Sequence, residues 1–394
     1  MSRILILGGD GYLGWPTAMH FSALGHDVTV ADNYFRRNAC TELDTGMLYT
    51  VPTLVERAQI WHELTGHHIH VAIVDLSDPD RMRSLFDGSA SYAGGTGPNG
   101  VPDTIVHYAE QPSAPYSVMD FSRADITLVN NLRVTNNLMW AVRDFCRDAH
   151  IIKLGTMGEY GTPDIDIEEG WIDIEHKGRK GRFLFPRQAG SIYHTTKVMD
   201  TDLLWFGVRM WDLRVTDLMQ GPVYGLETEQ TAMDPRLGTI FNYDEIFGTI
   251  VNRFVTQAIV GYPLTVYGKG GQTRGYLNLR DTLQCVEKSL EAPADRGELR
   301  IFNQIMETFS ANDLAAMIER VGNDRGHSVK VDHIDNPRKE AEEHYYNPTY
   351  QGLVDIGVEP HYLTDEVLSG IFALVETHKA NVRREVIFRG IKWG

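Results

Sequence analysis

Short apolar runs, each closing on a polar or small residue, alternate through the first half of the chain with longer stretches whose apolar positions recur at helical spacing. RILIL (3–7), DVTVAD (27–32), HIHVAIVD (68–75), DTIVHYA (103–109), IIKLGT (151–156) and RVTDL (214–218) are the short runs. Helical stretches follow the first run to about residue 24, lie around 81–86, extend from about 120 to 147, and fill 191–211. Strand then helix, repeated, predicts an α/β fold, a Rossmann-type doubly wound parallel sheet. Beyond RVTDL the alternation loosens. Residues 246–260 there predict a helix with Phe247, Ile250, Val251, Phe254 and Ala258 on one packing stripe. A smaller C-terminal α/β unit is expected from 221 onward, with a segment near 275–305 returning to the main sheet.

Between the first run and its helix, GGDGYLGW sets Gly8, Gly11 and Gly14 three apart. In a strand-to-helix turn the first glycine permits the bend, the second lets backbone approach a pyrophosphate, and the third lets the helix lie on the sheet. The helix N-terminus favours that anion through its unpaired N–H groups and dipole. DVTVAD then ends at Asp32, placed to accept hydrogen bonds from ribose hydroxyls and to repel a 2′-phosphate. A site for NAD rather than NADP is predicted, with Gly8, Gly11, Tyr12, Leu13, Gly14, Asp32, Asn33, Arg36, Asp75 and Leu76 around it. Arg36 and Arg37, close to Asp32, are the features that would suit NADP instead.

Charge and cysteine usage narrow the partners. With 37 Lys and Arg against 53 Asp and Glu, a formal charge of −16, the chain is unsuited to tracking nucleic acid or anionic membranes. Cys40, Cys146 and Cys285 stand far apart without metal-type pairing, so neither a disulfide framework nor a metal site is expected. No apolar run reaches membrane-spanning length and the first strand opens at residue 3, which predicts a cytoplasmic protein.

The chemistry is expected where IIKLGT delivers Thr156 to the carboxyl edge of the sheet, the ligand-binding edge of open α/β folds. Tyr193 and Lys197, four apart, share one face of the next long helix. A phenol with its ordinary pKa of about 10 acts as a base at neutral pH only when cations lower that value, as Lys197 and an oxidised nicotinamide would. Thr156 can hold the same substrate hydroxyl. Proton removal by Tyr193 with hydride transfer to NAD would oxidise a secondary alcohol. A Tyr/Lys pair alone is common on structural helices; the dinucleotide fingerprint and the Thr-ending strand give it meaning.

These features resemble the extended short-chain dehydrogenase/reductases that act on nucleotide sugars. Longer words, KLGTMGEYGTPDIDIEEG (153–170), SIYHTTK (191–197), GYPLTVYGKGGQTRGYL (261–277), NPRKEAEEHYYNP (336–348) and EPHYL (359–363), resemble the UDP-sulfoquinovose synthase group in particular. A homodimer is expected, and the resemblance implies retained NAD and a UDP-hexose substrate. It also implies an NAD-binding domain over 1–220 and a mainly nucleotide-sugar-binding domain over 221–394. In such an enzyme, glucose is oxidised at carbon 4, water leaves across carbons 5 and 6, sulfite adds, and carbon 4 is reduced again. Related 4,6-dehydratases carry Asp and Glu directly after the catalytic Thr, where this chain has Met157 and Gly158. The resemblance therefore points to Glu159 and His194 for proton handling, and to Gln111, Gln220, Arg274, Arg338 and Tyr345, with Thr156, as sugar-nucleotide contacts.

Two departures bear on function. The group's E-Q-R-S-A-P-Y-S is EQPSAPYS here, so Pro112 replaces an arginine, and its L-N-Q-G is LMQG, so Met219 replaces an asparagine. Proline offers neither charge nor donor to an oxyanion such as sulfite. A related dehydratase or epimerase that does not use sulfite is the alternative within enzymes. From another class, the alternative is a non-catalytic NAD-binding sensor, against which the intact Thr156, Tyr193 and Lys197 argue.

Overall fold

The computed structural model describes residues 1–337 and 345–393. In chain order its elements begin with β1 Arg3–Leu7, α1 Gly14–Ala23, β2 Asp27–Asp32, α2 Phe35–Glu42, α3 Leu54–Thr65, β3 Ile69–Ile73, α4 Pro79–Asp87, β4 Thr104–His107, α5 Ala114–Ser117, α6 Phe121–Phe145 and β5 His150–Thr156. Then come β6 Trp171–His176, β7 Arg179–Leu184, α7 Ile192–Trp211, β8 Arg214–Gln220, β9 Val223–Tyr224, α8 Ile250–Val260, β10 Leu264–Tyr267 and β11 Thr273–Asn278. The last are α9 Leu279–Glu291, β12 Leu299–Gln304, β13 Glu307–Ser310, α10 Ala311–Asp324, β14 Val331–Ile334, α11 Gln351–Asp355, α12 Asp365–Thr377 and α13 Arg384–Ile387.

Seven strands pair, all parallel, in the order β12-β8-β5-β4-β1-β2-β3. Alternate residues of β1 feed opposite cores: Ile4 and Ile6 pack with Trp15, Phe21 and Val30, while Leu5 and Leu7 pack with Ile105, Leu138 and Ile151. Helices cover both faces, which is why these strands read as unbroken apolar runs. The strand order reverses between β1 and β4, and the crevice beyond the carboxyl ends at such a reversal is where open α/β sheets bind ligands. A third core lies around α8, α10 and α12, with Phe254, Leu314 and Phe372 at its centre. The short sheets β13-β11-β9 and β10-β14 adjoin it, and β12 returns the chain to the edge of the large sheet.

The structure departs from the sequence expectations in three places. The stretch between β2 and β3 holds two helices, α3 opening with a reciprocal cap in which Thr53 Oγ1 accepts from Glu56 N and Glu56 accepts from Thr53 N. The helix expected over 246–260 starts at Ile250. Asp244 accepts hydrogen bonds from Ile246 and Phe247 N–H, holding a turn before the helix, and Phe247 packs with Ala39 and Tyr116 instead of on the helical stripe. The hairpin β6–β7 was not expected, although Ile172 opposite Phe183 alternates with Asp173 opposite Arg182 in a legible two-residue period.

Gly14 begins α1 where a Cβ would lie 2.0 Å from the carbonyl oxygen of Gly8. Gly14→Ala is expected to lower unfolding stability by about 1–3 kcal/mol, the usual cost of overpacking. Urea denaturation measures this, and an unchanged midpoint would contradict the contact.

Candidate active site

One cavity of about 950 Å³ opens beyond the carboxyl ends of β1, β2, β4, β5 and β8, and residues of α8, β10 and β11 close it from the opposite side. Its first end is built by the glycine turn. Gly8 has φ +89°, and a Cβ there would sit 2.8 Å from the carbonyl carbon of Tyr108. At Gly11 a Cβ would meet only the Gly8 oxygen, at 3.4 Å, so the side of the turn facing the cavity is open to a ligand. Among the described residues no side chain caps α1, and its first N–H groups are suited to an anion.

Asp32 accepts from Asp10 N at 2.9 Å and from Tyr34 N at 2.6 Å, which orients its carboxylate while leaving lone pairs for further donors. Burial, and then the charge of Asp10, push its pKa up to about 6. Asp10 was not singled out in the sequence, yet it locks the turn. Its carboxylate binds Arg37 Nε at 2.6 Å and Arg57 Nη2 at 2.6 Å, and Arg57 stacks over Trp15. Arg37 also donates to the carbonyls of Val51 and Pro52. Arg36 lies over the Phe247 ring, 3.9 Å from its centroid, and donates to Asn242 and Phe247. Both arginines thus have partners within the fold, Arg36 lining the cavity beside Asp32, and the Asp32 carboxylate at this end fits NAD better than a 2′-phosphate. Tyr12, Leu13, Asn33, Asp75 and Leu76 line the same cavity. Asn33 and Asp75 also accept from backbone N–H groups two residues on, so each shapes its own turn.

At the other end, Thr156, Tyr193 and His194 line the cavity together. Thr156 closes β5 and caps the short turn Met157–Glu159, its Oγ1 accepting from Gly158 N at 3.2 Å. Tyr193 opens α7, and its N–H donates to Ser117 Oγ. His194 Nδ1 lies 3.1 Å from Ser191 Oγ, the N-cap of α7. Its ring covers Gly158 so closely that a Cβ there would fall 2.5 Å from Nε2. Lys197 Nζ donates to the Leu154 carbonyl at 2.5 Å and pairs at 2.7 Å with Glu110, a cavity residue that the sequence reading missed. Without a bound nicotinamide, burial raises the Tyr193 pKa most, followed by the charges of Glu110 and Glu159.

Other expectations are corrected. Glu159 is wholly buried beneath the turn, accepts from Lys153 Nζ at 3.2 Å and from Thr156 N at 3.4 Å, and does not line the cavity. The Gln111 side chain is buried away from the cavity, donating to Thr127 Oγ1 and Ser113 O and accepting from Ser113 N. Tyr345 is 50% exposed and donates to Asp166; its neighbour Tyr346 lines the cavity and accepts from Gly275 N. Gln220 and Arg274 do line the cavity, and Arg338 lies outside the described residues.

Comparison with known proteins agrees with this geometry. Residues 4–303 match the NAD dependent epimerase/dehydratase family. The chloroplastic UDP-sulfoquinovose synthase of Spinacia oleracea is 45% identical over 391 residues, 99% of this chain and 79% of that protein. The UDP-sulfoquinovose synthase of Sulfolobus acidocaldarius is 39% identical over 394 residues, 99% of this chain and 97% of that one. The chain belongs to the UDP-sulfoquinovose synthase family. It is an NAD-dependent nucleotide-sugar enzyme. In fold it is similar to the UDP-glucuronic acid 4-epimerase of Bacillus cereus, solved with UDP-glucuronic acid and NAD, with a TM-score of 0.69, 17% identity, and coverage of 95% of this chain and 99% of that one.

Within this family frame the raised pKa of Asp32 has a sign that can be tested. Ribose hydroxyls donate best to the ionised carboxylate, so below about pH 6 a proton must leave before NAD binds well. NAD affinity is expected to be flat above that pH and to fall by about tenfold per unit below it. Fluorescence titration from about pH 5 to 8 measures it; Asp32→Asn should bind weakly with no such slope.

Proposed function

We propose that this chain forms UDP-sulfoquinovose from UDP-glucose and sulfite, with residues 1–220 and the returning 275–305 segment as the NAD-binding part. The observation that carries the reading is the gathering of Thr156, Tyr193 and His194 on one cavity wall, in a chain aligned along nearly its full length with two UDP-sulfoquinovose synthases. NAD, when bound, would accept a hydride from carbon 4 and give it back at the end. Thr156 holds the carbon 4 hydroxyl and Tyr193 takes its proton. The ketone acidifies the proton on carbon 5, and His194, at the cavity wall where Glu159 is not, removes it. The hydroxyl of carbon 6 takes that proton from His194 and leaves as water, so that the double bond forms between carbons 5 and 6. The sulfur of sulfite then bonds to carbon 6, carbon 5 regains a proton, and carbon 4 is reduced.

A second reading has its own support. Pro112 lines this cavity, so a ring stands where the group carries an arginine. An enzyme that captures sulfite poorly would stop at the unsaturated or epimerised sugar. A homodimer through α6 and α7 is supported by Trp140, Met199, Phe206 and Met210, large apolar side chains left exposed on those two helices. Among the described residues no helix is long and apolar enough to cross a membrane. The three thiols are unpaired, which suits the reducing cytoplasm.

Mass spectrometry of the nucleotide sugar after incubation with UDP-glucose, with and without sulfite, separates the readings. A sulfonated product only with sulfite is expected; an unsaturated or 4-epimeric sugar in both tubes would make the second reading correct. Tyr193→Phe should slow substrate-dependent NAD reduction by about 10²–10⁴-fold while leaving nucleotide-sugar binding in place, and near-normal turnover would place the base elsewhere. Pro112→Arg should lower the KM for sulfite by about tenfold, the effect of one charge-assisted contact.

A further inference from the structure

Tyr193 and Lys197 stand over a buried cluster of charges. Lys153 Nζ, from β5, lies 3.2 Å from Glu159 Oε1 and 3.1 Å from Asp217 Oδ2 of β8. Arg187, ahead of α7, brings Nε to 3.7 Å from Glu159 Oε2 and is shared with the exposed Asp202. Lys197 faces Glu110, which follows β4, and Asp200 lies on α7 one turn beyond Lys197. Four carboxyl groups, Glu110, Glu159, Asp200 and Asp217, thus share three cations, Lys153, Arg187 and Lys197. The imidazoles nearby do not repair the balance. His107 Nε2 is 3.8 Å from Glu110 and 3.0 Å from Thr135 Oγ1, and burial pushes its pKa down to about 3, so it is neutral. His194 is on the cavity side.

An uncompensated charge in a dry interior is strongly unfavourable, so one carboxyl keeps its proton. Asp200 is the carboxyl best suited to keep it: among the described residues it makes no ion pair, and burial with the neighbouring Glu110 charge raises its pKa far above the usual range. Glu110 is the partner of Lys197. Its side chain and that of Lys197 are 2% and 3% exposed, and among the described residues neither carboxylate oxygen of Glu110 has a hydrogen-bond partner besides this ion pair.

We propose that Glu110 is a positioning residue: its carboxylate holds the Lys197 ammonium against the Leu154 carbonyl and cancels much of the lysine's field at the Tyr193 phenol. The same contact makes Glu110 the switchable element of the base. Moving or neutralising that one carboxylate releases the lysine's charge to Tyr193. The raised phenol pKa, to which Glu110 contributes most after burial, agrees with this. The importance for catalysis rests on the reading of Tyr193 as the base; the electrostatic claim does not.

The test is ¹⁹F NMR of protein labelled with 3,5-difluorotyrosine, whose more acidic phenol brings the titration into the pH range of the folded chain, with the Tyr193 resonance assigned by its loss in Tyr193→Phe. Without cofactor or substrate, Glu110→Gln should lower the midpoint by about one pH unit, a tenfold change in acidity. Glu110→Asp, which keeps the charge but withdraws it by one methylene, should fall between and carries the test if the glutamine variant does not fold. Midpoints equal to wild type overturn the proposal, since a purely structural Glu110 would alter melting temperature and leave the phenol unmoved. In turnover, the acid limb of UDP-glucose-dependent NAD reduction should move down in pH by the same amount. If wild-type protein reduces no NAD with UDP-glucose, the functional reading fails while the NMR comparison still decides this one.

Discussion

A lysine in the middle of a parallel sheet constrains everything around it. Lys153 points from β5 into the interior with no exposure, directly opposite Asp217 in the β5–β8 register. Burying its ammonium is tolerable only with partners on every side. They come from β8 through Asp217, from the turn after β5 through Glu159, and from α7 through Thr201 Oγ1 at 2.7 Å and the carbonyl of Lys197. Thr156 rides on that turn, and Tyr193 and Lys197 ride on that helix. One buried cation therefore sets the separation of the hydroxyl and the phenol, and the absence of a side chain at Gly155, where a Cβ would lie 2.4 Å from Asp217 Oδ1, makes room for its counter-charges.

The cofactor end is organised by a similar device. Asp10 sits within the glycine turn, and two arginines from α2 and α3 converge on it, so both helices help to hold the turn in shape. Preorganised backbone of this kind loses little entropy when a diphosphate arrives. The two ends of the cavity thus share a construction principle: reactive or ligand-facing groups lie at the surface of a buried ion network that positions them.

Much of this was legible in the sequence, and the failures have physical causes. Strands covered on both faces are continuous apolar runs, so β1, β2, β5 and β8 could be read directly, and the glycine spacing located the first turn. Glu159 was misassigned because nearness to Thr156 along the chain says nothing about direction; the capping turn carries its side chain inward, towards Lys153. The signal that could have warned of this was Lys153 itself, a lone charge inside IIKLGT. Gln111 and Tyr345 failed for the same reason at loops, where one residue of rotation decides between cavity and exterior: Glu110 and Tyr346, their neighbours, face inward. The helices between β2 and β3 were missed because they are short and polar outside, with the capping pair Thr53 and Glu56 as the one local mark.

Gly158 and His194 carry a consequence for how such enzymes diverge. The imidazole occupies the space that any side chain at 158 would need. An acid at 158 and the imidazole of His194 in its present orientation therefore compete for one volume. A side chain gained at 158 would have to turn the His194 ring off its contact with the Ser191 hydroxyl, or meet a smaller residue at 194. The two positions are thus coupled, and a change at one alters what the other can hold.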